Sequence, residues 1–301
     1  MPNELITPST VARVGLATLY NTTVMGGLVW RDFDEAFTGK QGDTITIRRP
    51  AVFEALDFNR ATGIVLQDID EDAVPLKLDH LADVSFPVTA EELTLSIDDF
   101  SARLLTPAME AIVQKVDAAL GEAAVDAATG PGGGGTVSMD TDASDAMIDA
   151  REVLTTNKLP ATGRYAVLSP AATSEALRDD LFVQADQSGS TDALREANIG
   201  RVFGIDTYES QTFGQGPGDV GEADGVAFHR SAITLASRAL QAPMGVSSAQ
   251  VAVESYKGLT LRVVYDYDVK FKQDVISVDF LYGTAATRPE GAVALDFGQG
   301  S

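Results

Sequence analysis

From Gly258 onward the apolar and polar residues alternate. Leu259, Leu261, Val263, Tyr265, Tyr267, Val269 and Phe271 share one parity, and Thr260, Arg262, Val264, Asp266, Asp268, Lys270 and Lys272 share the other. Gln273-Asp274 reads as a polar turn, after which Ile276, Val278, Phe280 and Tyr282 resume the alternation. Side chains on a strand point to opposite faces with period 2, so this stretch predicts a long antiparallel hairpin with one buried face. Gly283-Thr284-Ala285-Ala286-Thr287-Arg288-Pro289-Glu290 follows, where Pro289 lacks an N–H and is expected to stop the ladder.

Upstream, Thr7-Pro8 opens a helix, since a hydroxyl residue suits the cap and proline the first turn. Val11, Val14, Ala17, Leu19 and Tyr20 are its expected apolar side, and Gly26-Gly27 its end. Leu28, Val29, Trp30 and Phe33 follow as apolar anchors of an N-terminal arm. Thr44 to Arg49 alternates and is stopped by Pro50; Val74, Leu76 and Leu78, then Val84, Phe86 and Val88, alternate again. These runs flank the acidic stretch Asp68 to Asp72 and predict a protruding hairpin. An arm of that length does not bury both faces on its own domain, so it lies on another chain or stays exposed.

The period then changes. Ser96 with Asp99 resembles a capping box, and Phe100, Leu104 and Leu105 open an apolar stripe. Thr106-Pro107 predicts a kink or restart, because a proline inside a helix clashes with the preceding turn. Met109, Ile112, Val113, Val116 and Leu120 carry the stripe on, with Glu110, Gln114, Lys115, Asp117 and Glu122 read as its polar side. This long helix over 97–128 ends at the Gly130 to Gly135 connector. A second helix is expected over 143–158 with Ser144 or Asp142 as cap, a buried strand at Tyr165 to Leu168, and a helix from Ser169-Pro170 to Leu177. Short strands are expected at Val202 to Tyr208 and Val226 to Phe228, and an acidic, glycine-rich turn region over Gly214 to Gly225. The mixture is α+β without a doubly wound βαβ repeat.

Composition narrows the function classes. Hydrophobic residues make up 45% of 301, enough for a sizeable core. With 22 Lys plus Arg against 44 Asp plus Glu, the net charge of −22 opposes nucleic-acid binding, which depends on cations that displace counterions. It opposes anionic membrane surfaces as well. The absence of cysteine removes disulfides, thiol catalysis and thiolate metal sites, and fits a reducing compartment such as a bacterial cytoplasm. The first twenty residues lack the basic and apolar regions of a signal peptide, and no run reaches the length of a membrane span.

The residues that carry chemistry do not assemble into a motif. His80 and His229 stand alone, outside any spacing that puts two ligands on one helix face, and read as structural. Asp68, Asp70 and Asp72 match the first three ligand positions of a calcium loop, but Ala73 replaces the required glycine and Asp79 the bidentate glutamate. The run reads as a solvated or salt-bridging loop tip. Gly130 to Gly135 lacks the Lys-Ser/Thr of a phosphate cradle and reads as a flexible connector and candidate hinge, with Gly26-Gly27 as another. Asp266 and Asp268 share one strand face and read as its wet side. No catalytic residue, cofactor or metal site is expected.

Two stretches carry a family resemblance: Asp99-Phe100 with the Pro107-interrupted helix, and Phe280-Leu281-Tyr282-Gly283 leading into Ala286-Thr287-Arg288-Pro289-Glu290. Together with the order of elements, they resemble the Hong-Kong-97-type fold of tailed-bacteriophage major capsid proteins, within it the P-twenty-two-like coat proteins. The resemblance implies an N-terminal arm at 1–40, an extended loop at 41–95, and a peripheral domain at 96–139 and 241–301 with its spine helix at 97–128. It implies that 140–240 is mostly axial domain. The compact length leaves no room for the extra domain some members carry.

The implied function is assembly: hexamers and pentamers of one chain in an icosahedral shell, located in the virion and built in the host bacterial cytoplasm. The shell encloses double-stranded DNA without sequence-specific binding and without a membrane. A separate scaffolding protein, a portal and a decoration protein are the implied partners. Trp30, Arg48, Arg49, Arg60, Asp68, Asp70, Asp72 and Arg288 are the expected inter-subunit contacts. Exposed ion pairs contribute only about 0 to 1 kcal/mol each, so they set register more than strength. An encapsulin-like compartment shell is the alternative within the same fold. A soluble enzyme or carbohydrate-binding module is disfavoured by the lack of a polar constellation.

Overall fold

The structure is a computed structural model that describes residues 7–32, 42–48, 55, 60, 73–88, 101–138, 143–178, 200–213, 223–241, 250–256, 259–268 and 273–296. Thirteen strands fall into three sheets, and five α-helices pack against them among the described residues.

The terminal hairpin is the backbone of the first sheet. Strands β11 (Leu259–Asp268) and β12 (Gln273–Ala286) pair antiparallel, with Val263 opposite Val278 and Tyr265 opposite Ile276. Leu259, Leu261, Val263, Ile276, Val278, Phe280 and Tyr282 are buried as their parity predicts, but Tyr265 is only half-buried and Tyr267 is exposed. Thr260, Val264, Asp279 and Leu281 of the other parity are buried because the sheet is covered on that side too; Val269 and Phe271 fall outside the described residues. Gln273 and Asp274 do not form the turn: they are paired within β12 to Asp268 and Tyr267. β12 also runs past Gly283 to Ala286, where it pairs with β9 (Ile233–Ser237), a wholly buried strand that the sequence reading passed over. β10 (Val251–Tyr256) forms one edge of this sheet and β3 (His80–Val88) the other.

Helix α1 (Pro8–Thr22) lies on this sheet, and the Thr7 hydroxyl accepts the Thr10 N–H at 3.4 Å as its N-cap. Val11, Ala12, Gly15, Leu16 and Leu19 face inward, whereas Ala17, expected on the apolar side, is exposed. Short α2 (Met25–Leu28) takes up the Gly26-Gly27 pair, and the chain reaches a parallel bridge between Trp30 and Thr234. Residues 7–32 are therefore packed on the core of their own chain.

Helix α3 (Thr106–Thr129) fills the space between the two larger sheets, touching β3 and β12 on one side and β8 (Gly225–His229) and β13 (Ala292–Asp296) on the other. One turn of π-helix, Ser101–Leu105, precedes it. Pro107 has no N–H to offer the Arg103 carbonyl and its ring crowds that turn, which accounts for the wider turn at the predicted break. The stripe Leu105, Met109, Ile112, Val113, Val116, Leu120, Ala124 is buried throughout.

The second sheet is mixed and six-stranded, in the order β4 (Thr136–Ser138), β13, β8, β5 (Arg164–Leu168), β7 (Ile205–Glu209), β6 (Arg201–Val202). Its central strands are buried on both faces. Val167, Val226, Phe228, Ala292 and Ala294 join the core around α3, while Ala166, Leu168, Ala227, Val293 and Leu295 face α4 (Ala143–Thr156) and α5 (Pro170–Ala176). Strands buried on two faces read as continuous apolar runs, as Ala292 to Leu295 does. The expected single strand from Val202 to Tyr208 is instead a tight hairpin. Phe203 and Gly204 both have positive φ, 49° and 86°, as a two-residue hairpin turn demands.

Ser144, a candidate cap, lies inside α4 and is buried; the other candidate, Asp142, falls outside the described residues. At the far end of α4, the buried Arg164 guanidinium donates to the carbonyls of Leu159 and Pro160 at 2.8 Å and to the Thr155 hydroxyl at 2.9 Å. After Pro289 the chain re-enters the fold, because β13 runs through the second sheet between β4 and β8. The described residues of 241–301 are thus divided between both sheets, and β9 crosses from the 140–240 stretch into the first.

The glycine connector does not act as a free joint. Gly133, Gly134 and Gly135 N–H groups donate to the carbonyls of Gly130, Ala292 and Ala128, and the Ala294 N–H returns a bond to Gly135. A Cβ on Gly133 would lie 2.2 Å from the carbonyl oxygens of Ala127 and Ala128, so the glycines serve close packing of backbone on backbone.

Candidate functional site

The base of the extended hairpin is the feature with the most specific geometry. β1 (Thr44–Arg48) and β2 (Ala73–Lys77) pair antiparallel, Thr44 with Lys77 through to Arg48 with Ala73. Ile47, Leu76 and Leu78 point inward and form a small separate core with Ala236 and Leu281 from the first sheet. Thr44, Thr46, Arg48, Ala73, Pro75 and Lys77 point away from it. The hairpin therefore leans on the back of β12 with one face, while its outer face stays uncovered by its own chain at these residues. β3 does not join it; that strand pairs with β12, Asp83 opposite Asp279. The tip, 61–72, lies outside the described residues.

Gly283 makes the crossing possible. An added Cβ there would stand 2.0 Å from the Lys77 carbonyl oxygen. On the neighbouring residues, His80 stacks on Tyr282 with ring centroids 5.2 Å apart and lies 3.3 Å from Asp79. The Tyr282 hydroxyl donates to the Lys115 carbonyl at 3.5 Å, and burial, followed by the charges of Asp79 and Glu122, pushes its phenol up to about 12.

Beside the hairpin base, a polar row crosses three strands. Arg262 on β11 grips Asp279 on β12 through Nε at 2.8 Å and through a second guanidinium N–H, and its remaining arm donates to the Gln241 carbonyl at 2.6 Å. The Ser277 hydroxyl lies 3.0 Å from an Asp83 carboxylate oxygen and 3.2 Å from one of Asp279. Burial raises the Asp279 carboxyl above its ordinary range against the Arg262 bonds, and Asp83 raises it further.

Four of the eight expected contact residues are described. Trp30 is half-buried: its backbone N–H donates to Ile233, its carbonyl accepts from Leu235, and its indole N–H donates to Asp32. Arg48 and Arg60 are exposed. Arg288 bonds Glu290 of the same chain at 3.0 Å. Arg49, Asp68, Asp70 and Asp72 lie outside the described residues. Of the described ones, Trp30 and Arg288 both donate their backbone N–H to adjacent carbonyls, those of Ile233 and Ala232.

His229 sits at the end of β8, where Nδ1 lies 2.8 Å from the Ser231 hydroxyl and 3.2 Å from the Ser231 N–H. Its pKa is lowered by burial first, with Arg288 and Arg164 nearby adding to the effect against a bond to the Thr162 backbone. Asp266 is exposed on the outer strand surface. Among the described residues no group of three or more His, Asp or Glu side chains converges as a metal site, and no helix is long and apolar enough to cross a membrane.

Asp117, read as part of the polar side of α3, is buried. Its carboxylate accepts the Thr23 hydroxyl at 2.7 Å, the Val24 N–H at 2.9 Å and the Gly26 N–H at 3.3 Å. The signal was present in the spacing: Asp117 stands four residues after Val113 and three before Leu120, inside the stripe.

No family model and no curated protein matches this sequence. Solved structures do match the fold. A structure from Mycobacterium phage Che8 has a TM-score of 0.65 at 23% identity, covering 91% of each chain. The capsid structure of the cyanophage P-SCSP1u has a TM-score of 0.65 at 14% identity, over 93% of this chain and 89% of that one. The virus-like particle from Pyrococcus furiosus has a TM-score of 0.52 at 12% identity, over 95% and 97%. Across nearly its whole length, then, this chain has the α+β fold of phage capsid structures.

Proposed function

We propose that this chain is the major capsid protein of a tailed double-stranded DNA bacteriophage, assembling into the hexamers and pentamers of an icosahedral shell. The observation that carries the reading is the likeness to phage structures over 91% of both chains, at matching length, together with a hairpin that leaves its outer face uncovered. In this reading 1–40 is the N-terminal arm, 41–95 the extended loop, and 96–139 with 241–301 the peripheral domain. Most of 140–240 is then the axial domain. Arg48 and Arg60, exposed on and beyond the hairpin base, contact neighbouring copies, and the acidic run at Asp68, Asp70 and Asp72 does so from the loop tip.

The charge of −22 supports a container rather than a binder: a shell holds DNA without adsorbing it. Assembly of the shell in the host bacterial cytoplasm, with a scaffolding protein, a portal and a decoration protein, completes the proposal. The chain performs no chemistry of its own in this role.

Negative-stain microscopy of the chain alone, and then with the products of its neighbouring reading frames, tests it. Closed polyhedral shells, or rings that close once a scaffold is added, are the expected result. A monodisperse monomer under both conditions would overturn the assembly reading. Shells that fill with a co-expressed enzyme and no genome would favour a protein compartment.

A further inference from the structure

The β6–β7 hairpin turns on a residue that its geometry does not favour. Val202 pairs with Ile205, so Phe203 and Gly204 are the whole turn, and both have positive φ, 49° and 86°. Asparagine or glycine suits the first of these positions, whereas a bulky side chain is strained there. Burial in the chain's own core does not explain the choice, because 37% of the Phe203 surface is exposed. The hairpin under it is held firmly. Ile205 is buried with residues of α4 and α5, and β7 pairs along β5. The Arg201 guanidinium reaches Asp206 at 3.5 Å and the Gly204 carbonyl at 3.5 Å. A strained aromatic on a fixed turn is a preformed anchor, since no loop has to order when contact is made. Tyr208, 42% exposed, stands on the same hairpin.

We propose that Phe203 anchors a contact with a second copy of this chain. Charge selects that occupant. Each copy carries −22, so two copies repel across most of their surface. From Gly200 to Tyr208 the only charged residues are Arg201 and Asp206, and they pair with each other. The turn is therefore neutral and aromatic, ground on which identical acidic chains meet without like-charge repulsion. A basic partner would be drawn to the acidic surface instead. β6 is two residues long, too short to template strand pairing with another chain, so side chains make the contact. The inference rests on the assembly reading and names one contact within it.

Phe203→Asn separates what the ring does for the fold from what it does between copies. Asparagine suits the turn, so the melting temperature of the unassembled chain should stay level or rise. Assembly, followed by light scattering under the condition that gives wild-type shells, should need at least about tenfold more protein, as when an interface anchor is removed. Phe203→Tyr keeps the ring and should assemble near the wild-type concentration. The chain has no cysteine, so a benzophenone attached to Phe203→Cys reports what the turn touches. Irradiated assemblies should yield two joined copies of the chain. A Phe203→Asn chain that melts lower, fails to fold or assembles at the wild-type concentration overturns the proposal. So does a benzophenone product with another protein, or within one chain alone. Each of these failures leaves the assembly reading in place, whereas a wild type that never assembles overturns both.

Discussion

The Lys77 carbonyl oxygen lies where a side chain on Gly283 would begin: a Cβ built on that glycine stands 2.0 Å from it and 3.2 Å from the Leu78 Cα. The hairpin strand therefore crosses β12 backbone to backbone. The obstructing atom belongs to the main chain, so no rotamer change relieves it.

Gly283→Ala should cost about 1–3 kcal/mol, the usual penalty for forcing extra volume into a packed site. The hairpin base should lift with it, because the whole strand has to move. Urea unfolding gives the energy, and amide exchange at Leu76 and Leu78 shows whether the small core under the hairpin has opened. An unchanged midpoint would mean that the crossing relaxes freely.

The Arg262–Asp279 pair is mostly buried, with side-chain exposures of 11% and 9%. Breaking such a pair on one side costs about 3–5 kcal/mol, whereas replacing both partners by apolar groups is often neutral. Asp279→Leu alone should therefore destabilise strongly by leaving Arg262 with only the Gln241 carbonyl. The Arg262→Met, Asp279→Leu double variant should recover most of the loss. Chemical denaturation of the four proteins of the cycle measures the coupling.

His229 should make the chain less stable as pH falls. Its folded pKa is depressed below 6.5, chiefly by burial, so its contribution is present above 6.5 and is lost as pH drops through that value toward the folded one. The unfolded chain takes up the proton first. Thermal melts across this window should show a decline that His229→Gln reduces, while carboxylate contributions at lower pH persist in both proteins.

Arg48→Glu and Arg60→Glu test the proposed contacts between copies. Both residues are exposed, so melting of the unassembled chain should move little, within the roughly 0.5 kcal/mol typical of surface changes. Shell yield by light scattering should fall, and more steeply at low salt, where exposed charges are least screened. Unaltered assembly at every ionic strength would remove them from the interface.

Much of the fold is legible along the chain because period encodes orientation. Alternation from Leu259 to Tyr282 pointed to most of the buried side chains of the terminal hairpin, although Tyr267 is exposed and Val264 and Leu281 of the other parity are buried. Spacings of three and four found the apolar stripe from Met109 to Leu120 but not the buried Asp117. Thr7-Pro8 and Ser169-Pro170 announced their helices through local hydrogen bonds and a fixed φ, which need no distant partner. Where packing overrode the local pattern, the reading failed. Ile233 to Ser237 and Ala292 to Leu295 are buried on both faces and carry no alternation to find.

The sequence by itself determined the longer helices, the terminal hairpin, the lack of thiol chemistry, the acidic charge and the family resemblance, all of which are properties of composition or of near neighbours in the chain. Tertiary structure alone decided that β3 pairs with β12 rather than with the hairpin and that β13 enters the second sheet. It alone placed Gly283 under Lys77 and enclosed Asp117 beneath Thr23 and Val24, 94 and 93 positions away. Periodicity states which side of an element a residue faces. It does not state what arrives on that side, because the partner is chosen by the packing of every element at once.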